Sequence, residues 1–401
     1  MALSQRKRLI LVKLESTYGT DSVPTATDAV LCKSLNINPL EGSSVQRDLI
    51  RPYFSNAGSI RVENFVSIDF ETEIAGSGTA GTAPEWGALL KACNFSETIT
   101  ATAITTLTST AIGAIGSNSV TLNAAASVVD DFYTGMTISF NGSATQSYEI
   151  INYVGATKIA TLGKGLLTAI TATSTTSISP NVIYTPNSDF STYTANTSAS
   201  IYFNLDGVRH VLLGARGSVS FDLSVKTVPV MKWKFTGLLG TISDVAQASN
   251  IDMSAWQMPV TVSTANTTDI NILGYNSAII EKLSFDIANT VAYRQTIGSE
   301  SVLITDRKPV GSISLEAGYI TTLQGTTPAK DWWTTAKTSA TSQLCIKHGQ
   351  IAGNIVGFSA PKVQLEAPKY SDSNGVTMLD MTLALIPNGA SGNDEIRICS
   401  K

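Results

Sequence analysis

Three glycines, Gly76, Gly78 and Gly81, stand at the G-x-G-x-x-G spacing that can cradle a pyrophosphate on backbone amides ahead of a helix. Just before them, Asp69, Glu71 and Glu73 fall on one side of a strand, because side chains alternate. A row of carboxylates can hold a metal or divide the work of acid and base. The surrounding residues argue against both chemistries. A parallel strand in a dinucleotide-binding sheet is covered on both faces and reads as nearly continuous apolar sequence. Here Ile68, Phe70, Thr72 and Ile74 alternate with the carboxylates, so the strand has one wet side. The third glycine of a dinucleotide fingerprint packs inside its helix, whereas Gly81 precedes the expected helix cap. Thr82 and Glu85 fit a capping box, Pro84 suits the first turn, and Trp86, Leu89, Leu90 and Cys93 form the apolar stripe. A Thr/Ala-rich run follows, not a second apolar strand ending in an acid. The three carboxylates repel one another and recruit no histidine or further acidic cluster. The expectation is a solvated acidic face.

The other candidates are no stronger. Asp130 and Asp131 precede Phe132 and Tyr133 in a loop; a turn role is the default and calcium the alternative. No G-x-S-x-G elbow surrounds any serine. His210, beside Arg209 at a turn entering a strand, reads as structural, and Trp332 and Trp333 read as core and interface. Cys32, Cys93, Cys345 and Cys399 are scattered, and with only His210 and His348 no zinc spacing arises. Buried free thiols are expected. The sequence therefore predicts no catalytic residue, no cofactor and no metal, and the protein is not read as an enzyme.

The elements that position these residues are mostly strands. Val219, Phe221, Leu223 and Val225 alternate with polar residues, as do Met231, Trp233 and Phe235 with Lys232 and Lys234. Leu283, Phe285 and Ile287, then Ile313 and Leu315, then Val363 and Leu365 continue the pattern. Asn374-Gly375 turns a hairpin into Leu379, Met381, Leu383 and Leu385. A second helix is expected at 331–337, with Thr327 as cap and Pro328 opening it. Many period-2 strands and two helices predict an all-β sandwich or barrel with one or two flanking helices. Residues 101–182 read as an inserted small β domain on Thr/Ser/Ala-rich tethers, on the outer surface and dispensable to the core formed by 1–100 and 183–401. Its strands are expected near 120–122, 136–140, 148–154 and 159–162, with turns at Asn141-Gly142 and Gly155-Ala156. Of 401 residues 43% are hydrophobic, enough for a real core, and only 14% are charged. A net charge of −4 gives no basic footprint for gripping nucleic acid. The opening segment, with Lys13 and Glu15 interrupting LILV, is too short an apolar run for a signal peptide. No stretch is long enough to insert in a membrane as a helix.

Several stretches, in order, resemble the major tail tube proteins of long-tailed, siphovirus-type bacteriophages. They are LVKLESTYGTDSVPTATDAVL at 11–31, RDLIRPYF at 47–54, EIAGSGTAGTAPEWGALLKACNF at 73–95 and YTPNSDF at 184–190. They continue with DGVRHVLLGARGSVSF at 206–221, SFDIANTVAYRQTIGSESVLITDRKPVGSISLEA at 284–317, DWWTTAK at 331–337 and APKYSDSNGVTMLDMTL at 367–383. Within the insert, SVVDDFYTGMTISF at 127–140 and INYVGATKIATL at 151–162 resemble a small β module attached to phage tail proteins; its presence departs from the minimal family pattern. The resemblance implies a tail tube fold that closes into homohexameric rings, stacked into a hollow tube that conducts the DNA genome to the host cell during ejection. It also implies a virion protein assembled in the host bacterial cytoplasm. Its implied partners are further copies of itself, the tape measure protein, the tail terminator and distal tail proteins, and double-stranded DNA that passes without specific binding.

Two expectations about surfaces follow. A lysine-rich channel would hold a polyanion, so Asp69, Glu71 and Glu73 are expected to face the lumen and repel phosphate. Asp286 and Glu316 are weaker candidates for the same wall, and Lys226, Lys232 and Lys234 count against a purely acidic one unless paired or turned away. The loop from 41 to 60 carries Arg47, Arg51, Tyr53 and Phe54, the residue types that carry interface energy. It is expected to reach the next ring, together with the arm before Tyr18 and the C-terminal tail; the alternative is a loop folded back on its own core. The rival function is a phage or bacterial surface adhesin that binds cell-surface glycans through the insert.

Overall fold

The computed structural model describes residues 3–110, 113–141, 146–171, 174–188, 197–322, 329–366, 368–390 and 392–401. One long antiparallel sheet dominates the chain. Its first half runs, in spatial order, Lys33–Glu41, Phe65–Glu73, Val230–Asp244, Val208–Ser224, Ile280–Asp286, Val310–Glu316 and Val376–Leu385. From there it continues through Val356–Leu365, Arg397–Ser400, Asn181–Pro186 and Phe95–Thr100, with Thr341–His348 beside Val356–Leu365. The second half folds over the first. The ring of Phe358 stands 5.1 Å from that of Phe221 and 5.6 Å from that of Phe285, so aromatic side chains of the two layers interdigitate. A single apolar cluster fills the space between the layers, from Ile68 and Phe70 on one side to Ile346 and Ile398 on the other.

The alternations expected at 219–225, 231–235, 283–287, 313–315 and 363–365 resolve into strands with the apolar members buried, except that Val225 and Ile287 fall just beyond their strands' ends and Val225 is only half-buried. At the 374–375 turn Asn374 and Gly375 have φ of 54° and 83°, the left-handed pair that a two-residue hairpin requires. The two helices are single short pieces, Gly87–Ala92 and Trp332–Lys337.

Four expectations change. The first helix begins at Gly87 after a turn in which the Gly87 amide bonds the Pro84 carbonyl, so Thr82 and Glu85 form no capping box. The apolar stripe is nevertheless buried as expected, with Trp86, Leu89, Leu90 and Cys93 all within the core. Asp331 caps the second helix by accepting from the Thr334 amide; Thr327 and Pro328 lie outside the described residues. The arm before Tyr18 and the C-terminal tail are not free to reach outward. Arg8–Leu14 is a strand paired with Ala199–Leu205, and Arg397–Ser400 lies between two other strands. Finally, the Thr/Ser/Ala-rich tracts contain strands where tethers were expected: Ile104–Thr108 and Thr175–Ile178 pair with each other. β-Branched threonine tolerates an extended backbone as well as a linker does, which is why composition misled there.

Residues 104–178 build a separate six-stranded sheet in the order Ile104–Thr108, Thr175–Ile178, Thr137–Asn141, Gln146–Val154, Ile159–Leu162, Ser119–Thr121. The turn at Gly155-Ala156 is present, whereas Gly142 lies outside the described residues. This small sheet has its own apolar cluster around Leu107, Ile138, Phe140, Tyr148 and Ile150, which extends onto Ile183 and Cys399 of the large sheet.

Candidate assembly surfaces

The glycine motif closes a joint. The Gly76 amide donates to Asn354 Oδ1 and the Gly78 amide to the Gly353 carbonyl, both at 2.8 Å. A Cβ on Gly76 would lie 2.0 Å from the Gly353 oxygen, and Gly78 and Gly81 have positive φ. The glycines therefore serve close backbone approach, and two amides that could have met phosphate are already engaged.

The wet side of the 65–73 strand is real: Ile68, Phe70, Thr72 and Ile74 are buried while Asp69, Glu71 and Glu73 are half-buried. Its charge differs from expectation. In the neighbouring strand Lys234 stands opposite Asp69 and Lys232 opposite Glu71, on the same face. Lys33, from the strand on the other side, pairs with Glu73 at 3.2 Å, and Lys232 reaches Asp222 at 3.4 Å. The three carboxylates thus belong to a compensated lattice of opposite charges, favourable across an antiparallel pair, instead of a purely acidic wall. Lys282, Asp286, Ser220, Ser284 and Ser312 continue this polar surface over the next strands, with shallow troughs of about 470 Å³ and 370 Å³ along it. Glu316 is half-buried at its far end, and Lys226 sits exposed in the turn beyond Ser224.

The opposite layer is covered. Alternation along its strands sends Ile346, Phe358, Ile398 and Tyr184 into the core and Cys345, Ser359, Cys399 and Ile183 outward, against the small sheet. The contact is anchored by charge. Lys401, 3% exposed, pairs with Glu149 and donates to the Gly135 carbonyl. Burial pulls the Lys401 ammonium down, but the groups around it, Glu149 first and then Cys399 and Asp269, together offset this and the net shift is upward. Asp269 receives Lys164 and Lys347, each at 2.6 Å. Burial raises the Asp269 carboxyl, and these two bonds outweigh it, leaving it below its ordinary value. The sequence pattern does not reveal this mount; its one signal is Glu149, the lone charged residue in the largely apolar run YEIINYV.

Asp130 and Asp131 take the turn role. Asp130 accepts from the Gly155 amide, and Asp131, at φ 57°, accepts from the Thr134 hydroxyl and from Asn388. His210 lies within the Val208–Ser224 strand, its ring 5.9 Å from Phe203. His348 is buried, bonded through Nε2 to the Val260 carbonyl and through Nδ1 to the Thr267 hydroxyl. Burial lowers the pKa of both histidines. Cys93, Cys345 and Cys399 are buried and Cys32 half-buried, all as free thiols; burial pushes the Cys32 thiol up to about 11. Trp332 is buried against Tyr275, and Trp333 packs on Tyr370.

The loop between the 33–41 and 65–73 strands projects from one end of the polar layer. Ser44–Gln46 and Ser59–Arg61 form a two-stranded stem. Beyond it Arg47 is exposed, Arg51 lies over the Tyr53 ring at 6.0 Å, and Tyr53 and Phe54 are 62% and 108% exposed. Leu49 and Ile50 are exposed as well, so the loop is not folded back on its own core. A second projection at the same end, unassigned by the sequence reading, is the hairpin Asn289–Thr296 and Ser299–Arg307 with Ile297 fully exposed at its tip. Tyr293 of this hairpin stacks on Phe65 at the foot of the loop, 4.9 Å between ring centres.

A β-sandwich with one polar face, one covered face and apolar side chains held out on a loop is the anatomy of an assembly protein. The family model described as phage tail tube protein matches residues 5–383, and the chain belongs to that family. No curated protein matches the chain. The protein is thus a structural component of the phage tail, which self-assembles into a tube. Among the described residues no helix is long and apolar enough to cross a membrane.

Proposed function

We propose that the chain closes into homohexameric rings that stack into the hollow tail tube of a siphovirus-type phage, and that double-stranded DNA passes through it to the host cell. Tubes of this kind grow in the host cytoplasm around the tape measure protein, between distal tail and terminator proteins. The observation that carries this reading is the asymmetry of the sandwich. One layer presents Asp69, Glu71, Glu73, Lys232 and Lys234 on an uncovered polar face, and in the other Val356–Leu365, Arg397–Ser400 and Asn181–Pro186 are covered on both sides. The polar face lines the lumen. The 101–182 segment is an inserted domain on the tube's outer surface, because it covers the layer on the opposite side of the core.

The polar layer also keeps two free edges among the described strands. Lys33–Glu41 pairs only with the 65–73 strand, and Lys369–Ser373 only with Val376–Leu385. Open edges invite pairing with another chain, and closing a barrel removes them. Joining these two edges between neighbours gives the ring a continuous inner wall. Duplex DNA carries about one negative charge per 1.7 Å of its axis. A wall in which Lys33, Lys232 and Lys234 each face a carboxylate offers it neither a sink of basic contacts nor a barrier. The loop bearing Arg47, Arg51, Tyr53 and Phe54 reaches the next ring.

Negative-stain microscopy of the purified protein tests the assembly: rings or tubes are expected, and single particles that bind glycans would favour the adhesin instead. Deleting 45–57 is expected to leave soluble protein that no longer polymerises. Replacing Asp69, Glu71 and Glu73 together by serine uncovers the lysines, and the resulting tubes are expected to retain duplex DNA in low salt where the parent tubes do not.

A further inference from the structure

The two ends of the polar layer are different. The loop with Phe54 leaves the end where Phe65 lies, as does the hairpin with Ile297. At the other end, between the two layers, an apolar pocket of about 200 Å³ opens beside Ile279, which is 60% exposed. Leu223, Val262, Ile270, Ile280 and Ile346 line it. An apolar cavity of roughly 150 Å³ is known to stay dry and to accept benzene, so this one has room for a phenyl ring. Solvent-facing apolar pockets and fully exposed aromatic side chains are each unfavourable alone.

Resting on the tube reading above, we propose that this pocket is the receptacle for Phe54 of the next copy along the tube. A chain cannot fill its own pocket with its own loop. The 65–73 strand that separates them is nine residues long, roughly 30 Å at 3.3 Å per residue, and the loop projects away from it. Growth of an open polymer needs a heterologous contact, in which one surface of a copy meets a different surface of its neighbour. The loop end and the pocket end supply two such unlike surfaces. Beside the pocket, exposed Tyr319 and Val376 line a second depression that shares Ile279 with it and extends the apolar rim, against which Ile50 and Tyr53 would spread. Burying an aromatic anchor in a desolvated pocket is how a few residues come to dominate an interface. Arg51, held over Tyr53, keeps the base of that anchor polar where it meets solvent.

The test places the photo-crosslinker p-azidophenylalanine at Phe54 of the full-length protein, close in size to the residue it replaces. Assembled tubes are irradiated and the crosslinked peptides mapped by mass spectrometry. Crosslinks between copies into the segments 262–270 and 279–283 are expected. Crosslinks to any other segment, or crosslinking into those segments from a probe at Ile297 instead, would overturn the proposal. A second variant, Ala278→Phe, fills the pocket from its own wall. It is expected to leave the folded subunit's circular dichroism unchanged and to raise the critical concentration for polymerisation about tenfold or more; an unchanged critical concentration counts against the pocket. Failure of the unsubstituted protein to form tubes would instead remove the tube reading itself, a separate outcome from tubes that form without this contact.

Discussion

The two layers of the sandwich are made of similar strands and meet different surroundings. In the polar layer, Val230–Asp244 alternates buried Met231, Trp233 and Phe235 with exposed Lys232 and Lys234. In the covered layer, Asn181–Pro186 is buried at five of six positions and the first six residues of Val356–Leu365 are all buried. The first pattern is that of an antiparallel sheet with one solvated face, and the second that of a strand enclosed on both sides. Charge follows the same division. Exposed pairs such as Lys33–Glu73 lie on the open layer, while Lys401–Glu149 is shut between the large and small sheets. The same chemical pair thus contributes a diffuse polar surface in one place and a fixed mount in the other.

The largest expected effect is at the seam between the layers. Phe358→Ala removes the ring that meets both Phe221 and Phe285 and should cost about 3–5 kcal/mol, read by chemical denaturation. Close behind comes the mount. Glu149→Gln leaves a buried ammonium without its partner, at a cost of about 3 kcal/mol, while Glu149→Leu with Lys401→Met should recover most of that loss. A double-mutant cycle on unfolding free energies reads the difference. If Glu149→Gln were neutral, the covered layer would not be dry. On the open layer, Glu73→Gln should change stability by no more than about 1 kcal/mol, since Lys33 and Glu73 are solvated. A cost equal to that at Glu149 would erase the contrast.

A smaller, pH-dependent effect belongs to His348. Its folded pKa is lowered by burial, so the folded chain binds fewer protons than the unfolded chain near the ordinary histidine value. The stability this site contributes is therefore full above about pH 6.5 and is lost as pH falls through the folded value. His348→Gln should flatten the fall in melting temperature between pH 7 and pH 5. An unchanged slope would place that loss on His210 or on the carboxylates.

What could be read in the sequence follows the same contrast. Strands with one wet face announce themselves through period-2 alternation, as at 65–73 and 231–235, and the Asn374-Gly375 turn did so through its backbone demand. The stripe of Trp86, Leu89, Leu90 and Cys93 was equally legible, although its start was not, because a turn and a capped helix share Thr, Pro and Glu. Cross-strand partners are set by register, which no local pattern carries. That is why Asp69, Glu71 and Glu73 read as an acidic face while Lys234 and Lys232 stand opposite two of them. The mount was hidden for the same reason, since Glu149 and Lys401 are 252 positions apart.

In the proposed tube the open polar layer faces the axis and the covered layer faces outward. Cryo-electron microscopy of tubes assembled from the purified protein tests it most directly. An inner wall formed by the strands bearing Asp69, Glu71, Glu73, Lys232 and Lys234 is expected, with the six-stranded domain as outward knobs. A map with those knobs inside, or with the carboxylates on the outer surface, would contradict it.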